Sequence, residues 1–446
     1  MARAPNHKTA KRSGGRIMGH ATRTLVAGGM SLMLAGCLGG AGGGEVSRLG
    51  AGPETVARSK AEAQSKVIGE LQARRSMLPE DGSFDQVAQS VLAAYSRSAE
   101  SDLLAARLRA EAASKNWLPK IGPNISLSSL SDIVSQLIVE QVLFDNGRKK
   151  AERAMAAADV EVAAVTLAED VNDRVLTGLT LYLDAAQARE RRRLEARTLD
   201  DLKHFEWIMS ERVKGGVSDM SDLNVLRSRL AEIREVIAQQ SEAERTALAE
   251  LNAMAARPLS GVAGLSEVPV NAGQVPALDV LRAEAESTRD IAGAMVARGG
   301  LLPNVTAGGT LGDGGDLGVN IRSDQLLGLG TGAELKAVEA EKEAAARRLN
   351  QAREDSDRVV QRLEARLDAL ARQVGEASTL RDAAQANLDL FQRQYDAGQR
   401  QVMDVVGVYE TFAERQVRAR ALKYDLARTR LELADHLGVL AEGSRI

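Results

Sequence analysis

The sequence is poor in cysteine, proline and aromatic residues. It has one Cys among 446 residues, which excludes a disulfide within the chain. All nine prolines lie at or before Pro303, and residues 124–257 and 304–446 contain none, so helices far longer than three turns are permitted there. Aromatic residues make up 3% of the chain, fewer than an ordinary enzyme core would hold. The abundance of Ala, Leu, Glu, Arg and Gln favours long helices packed as coiled coils.

The N-terminus predicts export and lipidation. Residues 1–36 hold six Lys or Arg, no acidic residue and a terminal apolar run, as in a signal peptide. Met18 is an alternative start, because it would shorten the long charged region. The run ends in Leu34-Ala35-Gly36-Cys37, which resembles a bacterial lipobox, so we expect a covalent lipid on Cys37 and no other cofactor. Residues 37–82 are predicted to be the lipid anchor and a tether with one helix around 54–78.

The charge of the mature chain argues against nucleic acid as a partner. Removing the six basic residues of 1–36 leaves 52 Lys and Arg against 61 Asp and Glu, a net charge of −9. Such a chain would be repelled by phosphate backbones.

The chain contains two copies of one unit. Trp117-Leu118-Pro119 has a counterpart in Leu301-Leu302-Pro303 at an offset of 184, and Gly216 and Asp222 have counterparts in Gly398 and Asp404 at an offset of 182. We therefore divide the chain into a first repeat at 83–260, a linker at 261–275, a second repeat at 276–440 and a tail at 441–446.

Both repeats show the same order of helix, strand hairpin, long helix, turn and helix. In the first repeat these parts are predicted at 84–115, 119–145, 148–214, about 214–219 and 218–258; in the second they are predicted at 276–298, 303–328, 333–397, about 396–401 and 399–440. The two shorter helices of each repeat total about as many residues as its long helix, so they can stack end to end beside it. Each long helix would reach about 100 Å.

The strand segments predict membrane-spanning β-structure. Leu317, Val319 and Ile321 alternate with polar or small residues, which is typical of a barrel strand facing lipid on one side and a pore on the other. Four strands per chain cannot close a barrel, for which about eight are needed. Several copies of the chain must then share one barrel.

Three segments resemble the TolC-like outer-membrane efflux family. Residues 141–148, Gln-Val-Leu-Phe-Asp-Asn-Gly-Arg, are similar to the point where that family's second strand enters the long helix. Residues 212–222 and 394–404 are similar to its two helix-turn-helix tips, each with Gly six residues before Asp. The resemblance covers about 83–440.

The resemblance implies a mainly α fold with a small β part. Three copies would form an α-helical tunnel and a shared 12-stranded barrel in the outer membrane of a Gram-negative bacterium. The expected function is the passive exit duct of a tripartite efflux pump or type I secretion system, with a periplasmic adaptor and an inner-membrane transporter as partners. The cargo is left open between drugs, metals, polysaccharides and secreted proteins.

The resemblance also assigns candidate site residues. The adaptor-docking tips would comprise Gly216, Val217, Ser218, Gly398, Gln399 and Arg400, for which the alternative is turn chemistry without a partner. Asp222 and Asp404 are expected to stabilise helix N-termini or to take part in gating.

No catalytic or metal-binding pattern is found. Only His204 and His436 remain after residues 1–36 are removed, and neither has a paired ligand spacing. The glycines from Gly308 to Gly318 lack the Lys-Ser/Thr of a phosphate loop, which favours a hairpin turn. We therefore expect that the protein is not an enzyme. The alternative function is a periplasmic coiled-coil adaptor or scaffold lipoprotein, and an envelope hydrolase is a third alternative.

Overall fold

A computed structural model describes residues 65–95, 97–129, 132–269, 275–311 and 327–445, and over these ranges the chain is mainly helical. The predicted signal peptide, Cys37 and the alternating residues Leu317, Val319 and Ile321 lie outside the described residues. None of the helices in these ranges combines the length and the apolar character that crossing a membrane requires.

The helices and strands of the described ranges follow the order predicted for two repeats. They are α1 (Lys66–Gln72), α2 (Ser83–Ala93), α3 (Ser98–Ser114), β1 (Lys120–Ser129), β2 (Asp132–Phe144), α4 (Arg148–Lys214), α5 (Met220–Ala253), α6 (Leu278–Gly300), β3 (Val305–Leu311), α7 (Thr331–Asp396) and α8 (Val402–His436), followed by a 3-10 turn at Gly443–Arg445.

The two long helices contain 67 residues in α4 and 66 in α7. The first has the predicted bounds, and the second differs from them by one or two residues at either end. Gly147 precedes α4 with a φ of +84°, and the carboxylate of Asp145 accepts hydrogen bonds from the N–H groups of Gly147 and Lys149. This local turn ends the strand and starts the helix.

The prediction of a single helix at 84–115 is wrong, because the chain turns between α2 and α3. The hydroxyl of Tyr95 donates to Asp170 of α4 at 2.7 Å, and the guanidinium of Arg174 lies 4.7 Å from the centre of the Tyr95 ring. These contacts with α4 hold the turn in place. The helix at 399–440 also ends early, at His436, where Gly438 adopts a φ of +63°.

Helix α4 lies at the centre of the packing. It contacts α3, α5, α6 and α8, while α7 packs on α6 and α8. Helix α4 accordingly buries 20 residues, whereas α7 buries seven over nearly the same length. Helix α7 is therefore the more exposed of the two long helices.

The largest apolar core surrounds the middle of α4, where α1, α2, α6 and the end of α8 meet it. Phe84, Leu179, Leu281 and Leu431 are almost completely buried there. Phe84 packs edge-on against Tyr182, with ring centres 6.1 Å apart. Burial of each such side chain contributes about 1.5–3 kcal/mol, so this region anchors the helices that diverge from it.

The three strands form an antiparallel sheet in the order β1-β2-β3. Ile121 pairs with Val139 on β2, which in turn pairs with Gly309 on β3. The first hairpin thus comes from the first repeat, and β3 of the second repeat joins its edge.

Candidate functional site

The first tip, residues 214–219, is a helix end closed by a left-handed glycine. Gly216 has a φ of +71°. The N–H of Val217 donates to the carbonyl of Arg212 at 2.9 Å, and the N–H of Gly216 donates to that of Val213 at 3.0 Å. This pair of bonds defines a Schellman motif, whose central residue is usually glycine because a Cβ is strained at positive φ.

The second tip, residues 396–401, has the same backbone geometry. Gly398 has a φ of +73°. The N–H of Gln399 donates to the carbonyl of Gln394 at 2.9 Å, and the N–H of Gly398 donates to that of Tyr395 at 2.8 Å. The two turns are therefore equivalent at every backbone bond that reverses the chain.

The helices that leave the tips are capped differently. At the start of α5, the carboxylate of Asp219 accepts a hydrogen bond from Ser221 N–H at 3.0 Å, and Asp222 lies in the first turn. At the start of α8, Asp404 accepts from Gln401 N–H at 3.1 Å and the Gln401 side chain accepts in return, which forms a capping box. Asp222 and Asp404 are each the third residue of a helix; a gating role for them stays a prediction.

An Arg side chain forms a hydrogen bond across the turn in both tips, but it stands at opposite positions of the bonded pair. In the first tip, Arg212 Nε donates to Ser218 Oγ at 3.1 Å. In the second, Arg400 Nε donates to Gln394 Oε1 at 3.0 Å. Arg212 corresponds to Gln394 and Ser218 to Arg400 at the repeat offset of 182. The guanidinium has thus moved from one member of the pair to the other, while the bond across the turn is retained.

The two tips rest on one apolar cluster. Residues from four helices form it, namely Leu202, Phe205 and Met209 of α4, Leu223, Leu226 and Leu230 of α5, Leu388 of α7, and Val402, Val405, Val406 and Tyr409 of α8. Phe205 and Tyr409 meet edge-on, with ring centres 6.4 Å apart. Both tips therefore pack on the same set of buried side chains.

A polar cavity of about 190 Å³ lies between the tips. Its lining joins the first tip to the start of α8 and consists of Met209, Arg212, Val217, Ser218, Asp219, Asp222, Gln401, Val402 and Met403. It brings together three of the predicted site residues, Val217, Ser218 and Asp222. The predicted residues of the second tip, Gly398, Gln399 and Arg400, do not line it.

The outer side chains of the tips differ in chemistry. Val217 is 68% exposed. Gln399 is exposed, and the guanidinium of Arg400 lies 4.4 Å from the centre of the Phe391 ring, where a cation–π contact holds it against α7. The first tip thus offers an apolar contact and the second a polar and cationic one.

Sequence reasoning missed two aromatic residues near the tips. The hydroxyl of Tyr409 donates to Asp201, and burial together with this bond raises the pKa of Tyr409 above its ordinary range, so it remains a neutral donor. Trp207 is 60% exposed and stacks on His204, with ring centres 6.2 Å apart. No spacing in the sequence marks Tyr409, because its role depends on a contact between α4 and α8, whereas the i, i+3 spacing of His204 and Trp207 on one helix could have indicated their contact.

The two faces of the sheet differ where the start of β1 pairs with β2. Ile121 and Val139 are paired, and Leu137 lies two residues from Val139 on the same face. On the other face, Lys120 pairs with Glu140, which also pairs with Gly308. Ile138 and Val142 share the face of Glu140, so that face is charged at one pair of positions and apolar on either side of it in β2.

The two histidines have no metal-like surroundings. Over the ranges that the structure describes, no group of three or more His, Cys, Asp or Glu side chains is arranged to hold a metal ion. His436 Nε2 is 3.1 Å from Ser356 Oγ, and its Nδ1 is 3.6 Å from a carboxylate oxygen of Asp279.

No protein-family model and no curated protein matches the sequence. Solved structures do match. The outer membrane protein VceC of Vibrio cholerae is 15% identical over 80% of this chain and 96% of its own, with a TM-score of 0.69. The outer-membrane channel OprN is 16% identical over 84% and 96%, with a TM-score of 0.70. The MtrE outer membrane channel of Neisseria gonorrhoeae, in an open state, is 16% identical over 85% and 90%, with a TM-score of 0.63.

These similarities run through both repeats and nearly the full length of the solved channels. They confirm, at the level of the fold, the resemblance predicted from the strand-to-helix segment and the two tips. The chain therefore has the fold of the TolC-like outer-membrane efflux channels.

Proposed function

We propose that this chain is the outer-membrane exit duct of a tripartite efflux pump or type I secretion system. The observation that carries the proposal is the shared fold over at least 80% of this chain with solved outer-membrane channels. The same similarity favours a duct over the alternative of a periplasmic adaptor or scaffold. Such a duct conducts passively, so no catalytic step is assigned to it.

Exposed apolar side chains on two helices support assembly into a closed ring of three copies. These helices are α3 and α7. Leu104 and Leu108 on α3 and Leu380 and Leu390 on α7 are all at least 43% exposed. Two different surfaces of one chain can each bind the other surface on a neighbouring copy. Such head-to-tail pairing closes into a ring when the rotation from one copy to the next allows it. The trimer number itself comes from the family.

The sheet supports a shared barrel. The face with Ile121 and Val139 would contact lipid, and the face with Lys120 and Glu140 would line the pore. Three described strands per chain, with a fourth predicted in the segment that ends near residue 328, would give twelve strands in a trimer. Cys37 would carry the lipid that fixes the N-terminus to the membrane.

The tips support a docking role. Their shared apolar cluster makes them one structural unit, and Val217, Ser218, Gln399 and Arg400 offer side chains to a periplasmic adaptor, with Gly216 and Gly398 shaping the turns. The adaptor would connect the duct to an inner-membrane transporter, which supplies the energy. Opening would occur if these partners bind a splayed form of the tips better than the closed form.

Single-channel recording in planar bilayers tests the proposal. Cys37 is the one cysteine of the sequence and the proposed lipid occupies its thiol, so Glu140→Cys and its neighbour Val139→Cys each present one free thiol, on opposite faces of one strand. We expect discrete conductance steps from a trimer, and a charged thiol reagent should reduce them at position 140 but not at position 139. A water-soluble monomer that never inserts would instead support the scaffold alternative.

A further inference from the structure

The junction between the sheet and the helices carries an exposed apolar patch. We define the junction patch as Trp117, Leu118, Ile121, Leu143 and Phe144, whose exposed fractions range from 44% to 66%. Gln141 Nε2 donates to the carbonyl of Trp117 at 2.7 Å, which ties the two strand ends together. Five large apolar side chains that are this exposed in one region indicate a surface covered by lipid or by another molecule.

Three basic residues follow this patch directly. Arg148, Lys149 and Lys150 occupy the first turn of α4, in which there is no acidic residue. Asn116, next to Trp117, donates to the carbonyl of Lys149 at 3.1 Å, so the basic turn lies beside the patch.

The basic turn is only partly neutralised within the chain. Glu152 lies 3.2 Å from Arg148 and 3.5 Å from Lys149, whereas Lys150 is exposed and forms no ion pair in the part of the chain that the structure describes. The start of a helix is also its positive end, where cations are disfavoured in water. An anionic surface beside this turn would reverse that penalty.

We propose that the junction patch and the basic turn bind anionic phospholipid headgroups of the periplasmic leaflet of the outer membrane. This proposal rests on the proposed function, since it takes the sheet to lie in the membrane and the helices in the periplasm. Under that arrangement the junction lies at the inner headgroup level. Trp117 and Phe144 occupy the boundary position that aromatic rings favour, and Arg148 and Lys150 contact phosphate.

Quenching of Trp117 fluorescence by brominated lipids measures this binding. The chain has two tryptophans, so the full-length protein is studied with Trp207→Phe, which leaves Trp117 as the only reporter. Vesicles contain phosphatidylcholine and phosphatidylglycerol at fixed proportions, and either lipid is brominated in turn. The ratio of the two quenching curves gives the relative affinity of the junction for the anionic lipid.

We expect this relative affinity to exceed about fivefold, since each Lys or Arg near an anionic surface contributes about 1 kcal/mol. Arg148→Gln/Lys150→Gln should bring it close to one. The matched control, Arg193→Gln/Arg197→Gln, removes two exposed charges from the same helix far along its length and should leave the affinity unchanged.

Equal quenching by both lipids in the parent would overturn the proposal, and so would an equal loss in test and control variants. Absence of any quenching in vesicles that contain conducting channels would also overturn it, since the junction would then lie outside the membrane or under a protein partner. These results leave the conductance test unaffected. If the protein fails to float with vesicles at all, the proposed function fails together with the lipid site.

Discussion

Asp435 on α8 provides a test of how the central core is built. One of its carboxylate oxygens, Oδ1, is buried without a hydrogen-bond partner among the described residues. Burial, and then the charges of Asp173 on α4 and Asp279 on α6, raise the pKa of Asp435 from 3.8 to about 7. Nδ1 of His436 is 3.6 Å from a carboxylate oxygen of Asp279.

The sign of the effect follows from the raised pKa. Between pH 3.8 and 7 the unfolded chain ionises Asp435 while the folded protein keeps it protonated, so stability falls as the pH rises through this window. Above pH 7 the cost is constant. A difference of about three pKa units corresponds to at most about 4 kcal/mol, and partial contact with solvent reduces this to about 2 kcal/mol.

Asp435→Asn removes the ionisation and keeps the shape. We expect the variant to be more stable than the parent by about 2 kcal/mol at pH 8 and by less than about 0.5 kcal/mol at pH 4. Thermal melting followed by circular dichroism at 222 nm, from pH 4 to pH 8, measures the difference. Asp357→Asn on the exposed side of α7 is the control and should shift no melting curve.

If the difference in melting temperature between Asp435→Asn and the parent were the same at every pH in this range, the reasoning would be refuted. So would a loss of stability at pH 8, which would mean that the carboxylate accepts a stabilising bond. Asp173 contributes in the same direction, since burial and then the charges of Asp170 and Asp279 raise its pKa. The variant Asp435→Asn should therefore leave a residual fall in stability with pH.

Two further predictions concern the tips. Gly398→Ala should destabilise the second turn by about 1–2 kcal/mol because of its positive φ, whereas Gly375→Ala, in the exposed interior of α7 with open space around it, should stabilise by up to about 1 kcal/mol. Tyr409→Phe should cost about 1 kcal/mol by removing the bond to Asp201, while Tyr395→Phe should be neutral. Hydrogen exchange of the tip amides compares each test variant with its control. Equal protection in Gly398→Ala and Gly375→Ala would contradict the first expectation, and equal protection in Tyr409→Phe and Tyr395→Phe would contradict the second.

The long helices and their reversals were predictable because they depend on local features. Proline is absent from both long helices, and glycine stands where each turn needs a positive φ, so the bounds of α4 follow from the sequence alone. The strand-to-helix turn was predictable in the same way, because Asp145 and Gly147 act within four residues of each other.

The remaining features depend on contacts between segments far apart in sequence. Tyr95 breaks the first helix by bonding to Asp170, 75 positions away, and no pattern near residue 95 reveals that partner. The pKa of Asp435 is raised because packing buries its carboxyl group and because α4 and α6 bring Asp173 and Asp279 close to it. The two faces of the sheet could not be told apart at 125–143 because apolar residues occupy both faces of β2, and only the register shows that Glu140 pairs with Lys120 and Gly308.

The two tips share their backbone geometry but differ in the position of the Arg side chain that bonds across the turn. Backbone bonds and glycines are the same in both turns, but the guanidinium is at Arg212 in the first turn and at Arg400 in the second. Ser218→Arg alone would bring a second cation beside Arg212 and should weaken the first turn by about 0.5–1 kcal/mol. Adding Arg212→Gln recreates the arrangement of the second turn and should restore it.

This double-mutant cycle separates backbone geometry from side-chain pairing. Exchange protection of the amides of residues 213–219 measures the turn, and Arg212→Gln alone, which leaves Ser218 a neutral partner, completes the cycle. A coupling energy near zero would mean that glycine geometry alone holds both tips. A clear coupling would mean that the side chains at 212 and 218 contribute to the turn beyond the geometry of the glycine.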